Sequence, residues 1–119
     1  MLPTVLAYTV ALLLQGDTHH VQGVVVDDAR LWVTSVDRAT RKGYLYEYYR
    51  ATGKRLRELE IQQGAMFHPG GFDMDDTSLW IPVAEYTPTG RTGVQRRSKQ
   101  TLALLSSFEV EDHIGCLPV

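Results

Sequence analysis

HHVQGVVVDDARLWVTSVDR, residues 19–38, decides the fold, because its skeleton returns as FHPGGFDMDDTSLWIPVAEY at residues 67–86 and starts again as DHIGC at residues 112–116. Superposed, Trp32 falls on Trp80, Leu31 on Leu79, Gly23 on Gly71, Asp28 on Asp76 and His20 on His68, each pair 48 residues apart. The third start, at His113, follows His68 by 45 residues. A spacing of about 45 to 48 residues is that of propeller blades.

The inside of each unit agrees. Val21 to Val26 is an apolar run closed by Asp27-Asp28, the pattern of a buried inner strand and a turn. Leu31 to Val36 reads as a second strand and the aromatic run Tyr44 to Tyr49 as a third. The turn Ala51-Thr52-Gly53-Lys54 leads to a fourth, carrying Leu56, Leu59 and Ile61. The second unit follows the same order: Phe72 to Met74, the turn Asp75-Asp76, Leu79 to Val83, Val94 to Arg97, a turn at Lys99-Gln100-Thr101, and Leu104 to Val110. Gly and Pro interrupt every long window, so no helical stripe survives. An ordinary β-sandwich would not require whole units to resemble each other.

The expected architecture is therefore all-β: propeller blades of four antiparallel strands, about two blades plus the first strand of a third. Residues 19–66 form blade 1, 67–111 blade 2 and 112–119 the opening strand of the next. Propellers close with about 4 to 8 blades, so the ring is incomplete. The chain is then a fragment, a truncated product, or a unit that self-associates, and its end at Cys-Leu-Pro-Val, in mid-strand, favours truncation.

Composition narrows the classes. The chain has 119 residues, 12 Lys plus Arg against 14 Asp plus Glu, and a formal charge of −2. That length is one domain, and the charge argues against a nucleic-acid partner. The basic patches Arg55-Leu56-Arg57 and Arg96-Arg97 read as solvated strand faces. Cys116 is the only cysteine, which excludes an intrachain disulfide and a thiolate zinc cluster; it reads as a small buried residue rather than a nucleophile. Residues 1–18 form an apolar strand or a signal-like segment. Leu2 to Leu14 is too short for a membrane span of about 20 residues, and Met1 to Leu14 lacks the basic start of a signal peptide. A strand over Val10 to Leu14, ending at Gln15-Gly16-Asp17, is the favoured reading, and it leaves open whether the chain is cytoplasmic or exported.

With HHVQGVVV, LWVTSVDR, FHPGG, LWIPVAEY and SSFEV in view, residues 15–119 resemble the N-terminal part of an uncharacterised family of bacterial β-propeller proteins, a domain of unknown function. The resemblance implies six or seven blades, of which this chain holds about a third, and it brings no activity or residue roles. Gluconolactonase-like hydrolases, strictosidine-synthase-like proteins and oligogalacturonate lyase are more distant and share architecture only, a weak warrant for function.

Three of the four histidines, His20, His68 and His113, stand just before an inner strand. In a propeller such stations converge on the central channel. Asp37 and Glu85, 48 residues apart at the ends of the second strands, belong to the same mouth. Three imidazoles and two carboxylates suit a divalent metal, Zn, Mn or Fe, and with it metal-assisted hydrolysis or lyase chemistry on a small polar ligand. Equally, a duplicated histidine can staple one blade to the next in a non-catalytic interaction scaffold, its acid holding the tautomer. His19 has no counterpart and reads as an exposed neighbour. Trp32 and Trp80 read as packing between blades. Gly23, Gly70 and Gly71 read as sites of close backbone approach. Of Tyr44, Tyr46, Tyr48 and Tyr49, some cover the interface and an exposed subset marks a partner surface. Pro69-Gly70-Gly71 lacks the helix and Lys of a phosphate-binding loop.

Overall fold

A computed structural model describes residues 12–111. Among them there is no helix, and therefore none long and apolar enough to cross a membrane. The chain forms two antiparallel sheets. The first consists of β1 (His20–Val26), β2 (Arg30–Asp37), β3 (Lys42–Tyr49) and β4 (Arg55–Glu60), in that spatial order. The second consists of β5 (His68–Pro69), β6 (Asp73–Met74), β7 (Ser78–Ala84), β8 (Thr92–Ser98) and β9 (Leu104–Val110); β5 and β6 both pair with β7, and β8 and β9 follow outward.

Turn chemistry explains why the strands reverse where they do. Asp27 Oδ1 accepts from the amides of Ala29 and Arg30 at 3.0 and 2.8 Å. Asp75 Oδ1 does the same for Thr77 and Ser78 at 2.9 and 2.7 Å. A short carboxylate that satisfies backbone amides in this way fixes a tight turn. Gly53 turns β3 into β4 with φ +75, a conformation that costs a side-chain-bearing residue. The registers also match. Val26 lies opposite Leu31 and Met74 opposite Leu79; His20 lies opposite Val36 and His68 opposite Ala84. Every residue of the second set stands 48 positions after its counterpart in the first.

The two sheets pack through one core. Trp32 and Leu45 of the first meet Leu79, Ile81 and Val83 of the second, with Ile61, Met66, Phe72 and Leu102 filling the margins. Full burial of each large aliphatic contributes about 1.5–3 kcal/mol. Polar ties cross the same interface. Thr34 Oγ1 donates to Gly70 O at 3.0 Å, and buried Gln95 Nε2 donates to Ile61 O at 2.7 Å. The inner strands approach closely at Gly23, where a Cβ would come 2.9 Å from Gly71 Cα, and β3 comes nearer still at Gly43, where a Cβ would lie 2.6 Å from Phe67 O. The opposite face of the first sheet buries Val33, Tyr46 and Tyr48, with Leu14 packed against them.

The strand boundaries of the first sheet follow the sequence expectation to within one or two residues, but four readings need correction. β1, expected to be buried, leaves Val21, Val24 and Val26 exposed. Residues 12–14 are not a strand: they run over the outer face of the first sheet, where the Gln15 amide donates to Gly53 O at 2.9 Å. Residues 10 and 11, and Cys116, lie outside the described residues. The inner strand of the second sheet is not the single run Phe72–Met74 but two short pieces, because Pro69 has no amide to donate and Gly70-Gly71 bends the chain between them.

The basic patches are not solvated faces either. Arg55 lies 4.0 Å above the Tyr46 ring and donates to Tyr48 Oη at 2.9 Å and to Asp17 O. Arg57 grips the buried Glu47 carboxylate with Nε and Nη2, at 2.8 and 2.7 Å, and reaches across to Gln100 O at 2.8 Å. Arg97 is buried and donates to Gln95 Oε1 and Leu102 O; burial lowers its pKa.

Candidate functional site

A cavity of about 700 Å³ opens at the end of the sheets where the β2–β3 turn, the β7–β8 loop and the segment entering β5 meet. Arg38 and Arg41 come from the first, Glu85 and Tyr86 from the second, and Phe67 and His68 from the third.

His68 is held by pairing with Ala84 and is 6% exposed. Its ring stacks on Tyr86, with centroids 4.0 Å apart and planes 6° from parallel. Arg38 Cζ lies 5.8 Å from the centre of the same tyrosine ring, so a cation, a phenol and an imidazole form one assembly. Burial lowers the His68 pKa first, and the Arg38 charge lowers it further. Backbone hydrogen bonding at Pro69 and at His68 opposes this in part. The ring is therefore kept neutral at a pH where a free imidazole would begin to charge. Its Nε2 is buried and has no hydrogen-bond partner, which is costly unless a ligand or water supplies one.

The carboxylates expected at this end are already engaged. Glu85 Oε1 accepts both the amide and Nε of Arg91 at 3.0 Å, and the hydrogen bond from the guanidinium is the main reason its pKa is lowered. Arg91 also reaches Glu109 at 3.0 Å. Asp37 accepts from the Ala39 amide at 3.1 Å, and its pKa is lowered chiefly by a hydrogen bond from the Thr40 side chain. His19 Nδ1 stands 3.9 Å from Asp37, with its ring stacked on Tyr44 at 4.9 Å. By contrast, neither Arg38 nor Arg41 has a carboxylate partner among the described residues.

Of the five residues expected to share a site, the cavity brings together His68 and Glu85. His20 and Asp37 do not line it; His20 is exposed, with Nδ1 3.1 Å from Gln22 Nε2. His113 lies outside the described residues. Among the described residues no three His, Cys, Asp or Glu side chains gather closely enough to hold a metal ion. Arg38, Arg41 and Tyr86 escape the repeat pattern because their stations do not match: Tyr86 stands where the 48-residue offset places Arg38. The available signal was the turn Arg38-Ala-Thr-Arg41-Lys42, three cations in five residues beside His68's counterpart strand.

Fold and site together define an all-β protein of two packed antiparallel sheets with a cationic cavity at one end. The chain belongs to a family of unknown function, DUF6454, which it matches over residues 4–118. No curated protein matches it.

Proposed function

We propose that the chain is part of a β-propeller and that the cavity at the end of its sheets, the channel mouth, takes a small polar ligand. Residues 19–66 and 67–111 are the first two blades, residues 112–119 open a third, and residues 1–18 lead into the first. The matching registers, the face-to-face packing of the sheets and the Gly23–Gly71 approach of the two inner strands support this reading. The observation that carries the ligand site is the buried His68 Nε2, unpartnered in the wall of a cavity large enough for a metabolite. NMR titration of the chain with a mixed panel of neutral, cationic and anionic small molecules tests it. Binders are expected to shift the His68 and Tyr86 signals; a panel whose binders all map elsewhere, or that has none, refutes the reading.

Asp37 and Glu85, and a metal held by His20, His68 and His113, remain a narrower form of the same proposal. Zn²⁺ or Mn²⁺ is then expected to raise the melting temperature, and His68→Ala to abolish the rise. Because Arg91 and the β2–β3 turn already occupy the two acids, the polar-ligand form is favoured.

The second reading, a scaffold that associates with further copies or partners, rests on the outer side of the second sheet. Leu104, Leu105 and Phe108 are exposed, and β9 has Glu109 as its one charge, whereas β4 guards its edge with Arg55, Arg57, Glu58 and Glu60. An unguarded apolar edge invites pairing. Sedimentation of the chain across a concentration series tests it: a monomer throughout rejects self-association.

A further inference from the structure

Resting on the ligand-site reading, the geometry points to a narrower chemistry: the cavity is a receptor for a small oxyanion, a carboxylate or phosphate compound gripped by Arg38 and Arg41 beside the stacked His68 and Tyr86 rings.

The argument begins with charge. Most arginines of the described chain are satisfied by acids, carbonyls or side-chain acceptors: Arg55, Arg57, Arg91, Arg96 and Arg97 each have such partners. Arg38 and Arg41, at two points of one turn, line the cavity without one. The single acid in the wall, Glu85, is held by Arg91, which it shares with Glu109, so it pairs with neither Arg38 nor Arg41. Two unpaired guanidiniums against one carboxylate leave the lining net positive, which attracts an anion, and each can offer a planar pair of donors to its oxygens.

The second element is independent of charge. His68 is more than nine-tenths buried and its Nε2 has no partner. An unsatisfied buried nitrogen is costly, so a ligand or water that reaches it as the wall adjusts is favoured, donating to a bare nitrogen or accepting from an N–H. A hydroxylated carboxylate or a monoprotonated phosphate carries acceptor oxygens for the arginines and, for either tautomer, a group that can satisfy the imidazole. Tyr86 ties the halves together: His68 stacks on it at 4.0 Å and Arg38 lies over it at 5.8 Å. Tyr86 and Arg41 both hold left-handed backbone, φ 60 and 56, a cost the surrounding turns sustain at the cavity wall.

The test uses the 119-residue chain at fixed ionic strength, with inorganic phosphate, citrate and sorbitol as probes. Phosphate or citrate is expected to shift the His68 and Tyr86 signals saturably while sorbitol does not. Arg38→Gln and Arg41→Gln are each expected to weaken binding roughly tenfold or more, the scale of one charge-assisted contact, without moving the melting temperature. Lys54→Gln, an exposed turn cation far along the sheet, is expected to leave affinity unchanged. Sorbitol or other neutral probes binding at His68 while the anions do not would overturn the oxyanion and leave the ligand site standing. Failure of every probe, neutral or charged, at His68 and Tyr86 would remove both. Anion binding that survives both arginine changes, or that falls equally with Lys54→Gln, would also overturn the inference.

Discussion

Trp32 and Trp80 occupy matching positions in the two sheets and have nearly the same polar surroundings. Each indole donates to a carboxylate, Glu47 at 2.9 Å and Asp75 at 3.0 Å, and each ring has a cation 5.4 Å from its centre, Lys99 and Arg96. Yet Trp32 is 1% exposed, sealed by the second sheet, whereas the face around Trp80 has no described sheet upon it and Trp80 is half-buried. The local chemistry is shared; what differs is the layer above. That layer decides whether a tryptophan is an anchor of the core or a ring held by a turn.

The comparison is broken most directly by removing each ring. Trp32→Ala is expected to destabilise by about 3–5 kcal/mol, because a large void opens in the core and Glu47 loses a donor. Trp80→Ala is expected to cost about 1 kcal/mol or less, as for a partly exposed site. Urea denaturation of both variants measures the difference. Equal losses would show that the Trp80 face is covered in solution, and a concentration-dependent midpoint would identify self-association as the cover.

The carboxylates offer the next contrast. Glu47→Ala leaves Arg57 and the Trp32 N–H beneath the second sheet without their acceptor, and about 3 kcal/mol is expected, the scale of breaking a buried pair by removing one partner. Asp75→Ala, at an exposed turn, loses a cap rather than a buried charge, and a clearly smaller loss than for Glu47→Ala is expected. The same denaturation curves compare them.

A finer contrast lies in the glycines at the contact between the inner strands. Gly23→Ala forces a Cβ to within 2.9 Å of Gly71 Cα and is expected to cost about 1–3 kcal/mol. A Cβ on Gly71 meets nothing within 4 Å, so Gly71→Ala is expected to be near neutral. Thermal melting of the two variants separates a real steric contact from mere proximity.

The smallest effects are those of pH. The folded state lowers the His68 pKa below its ordinary 6.5, so the unfolded chain binds the proton more readily. The stability tied to the neutral ring is complete above pH 6.5 and is lost as pH falls through the folded value. His68→Gln is expected to flatten the melting curve in that window. The hydrogen bonds from Trp80 and from the Thr77 and Ser78 amides lower Asp75 from 3.8 to about 2, so its share persists above pH 3.8 and disappears as pH falls towards 2. Melting wild type and Asp75→Ala between pH 5 and 2 checks the second window.

Much of the fold was legible. The run LWVTSV and the aromatic run YLYEYY placed β2 and β3. The Asp-Asp pairs placed the turns, because an Asp side chain acts within three residues of itself. The site was half legible: His68 and Glu85 stood out by their spacing, whereas Arg38 and Tyr86, at equivalent stations, differ in residue type and looked unrelated. The roles of Arg55 and Arg57 were misread, because a one-dimensional pattern shows a charge without the carbonyls of Asp17 and Gln100, 38 and 43 residues away, that meet it; Arg97 was misread because the pattern does not show its burial.

By itself, then, the amino-acid sequence determined what depends on near neighbours: most strands, the turns and the 48-residue correspondence. Only the tertiary structure decided which tryptophan is sealed, which acids are already spent on Arg91 and the turns, and which two arginines face a cavity unpaired. These depend on burial and on partners distant along the chain, and a buried group's state is set by whatever the fold packs against it.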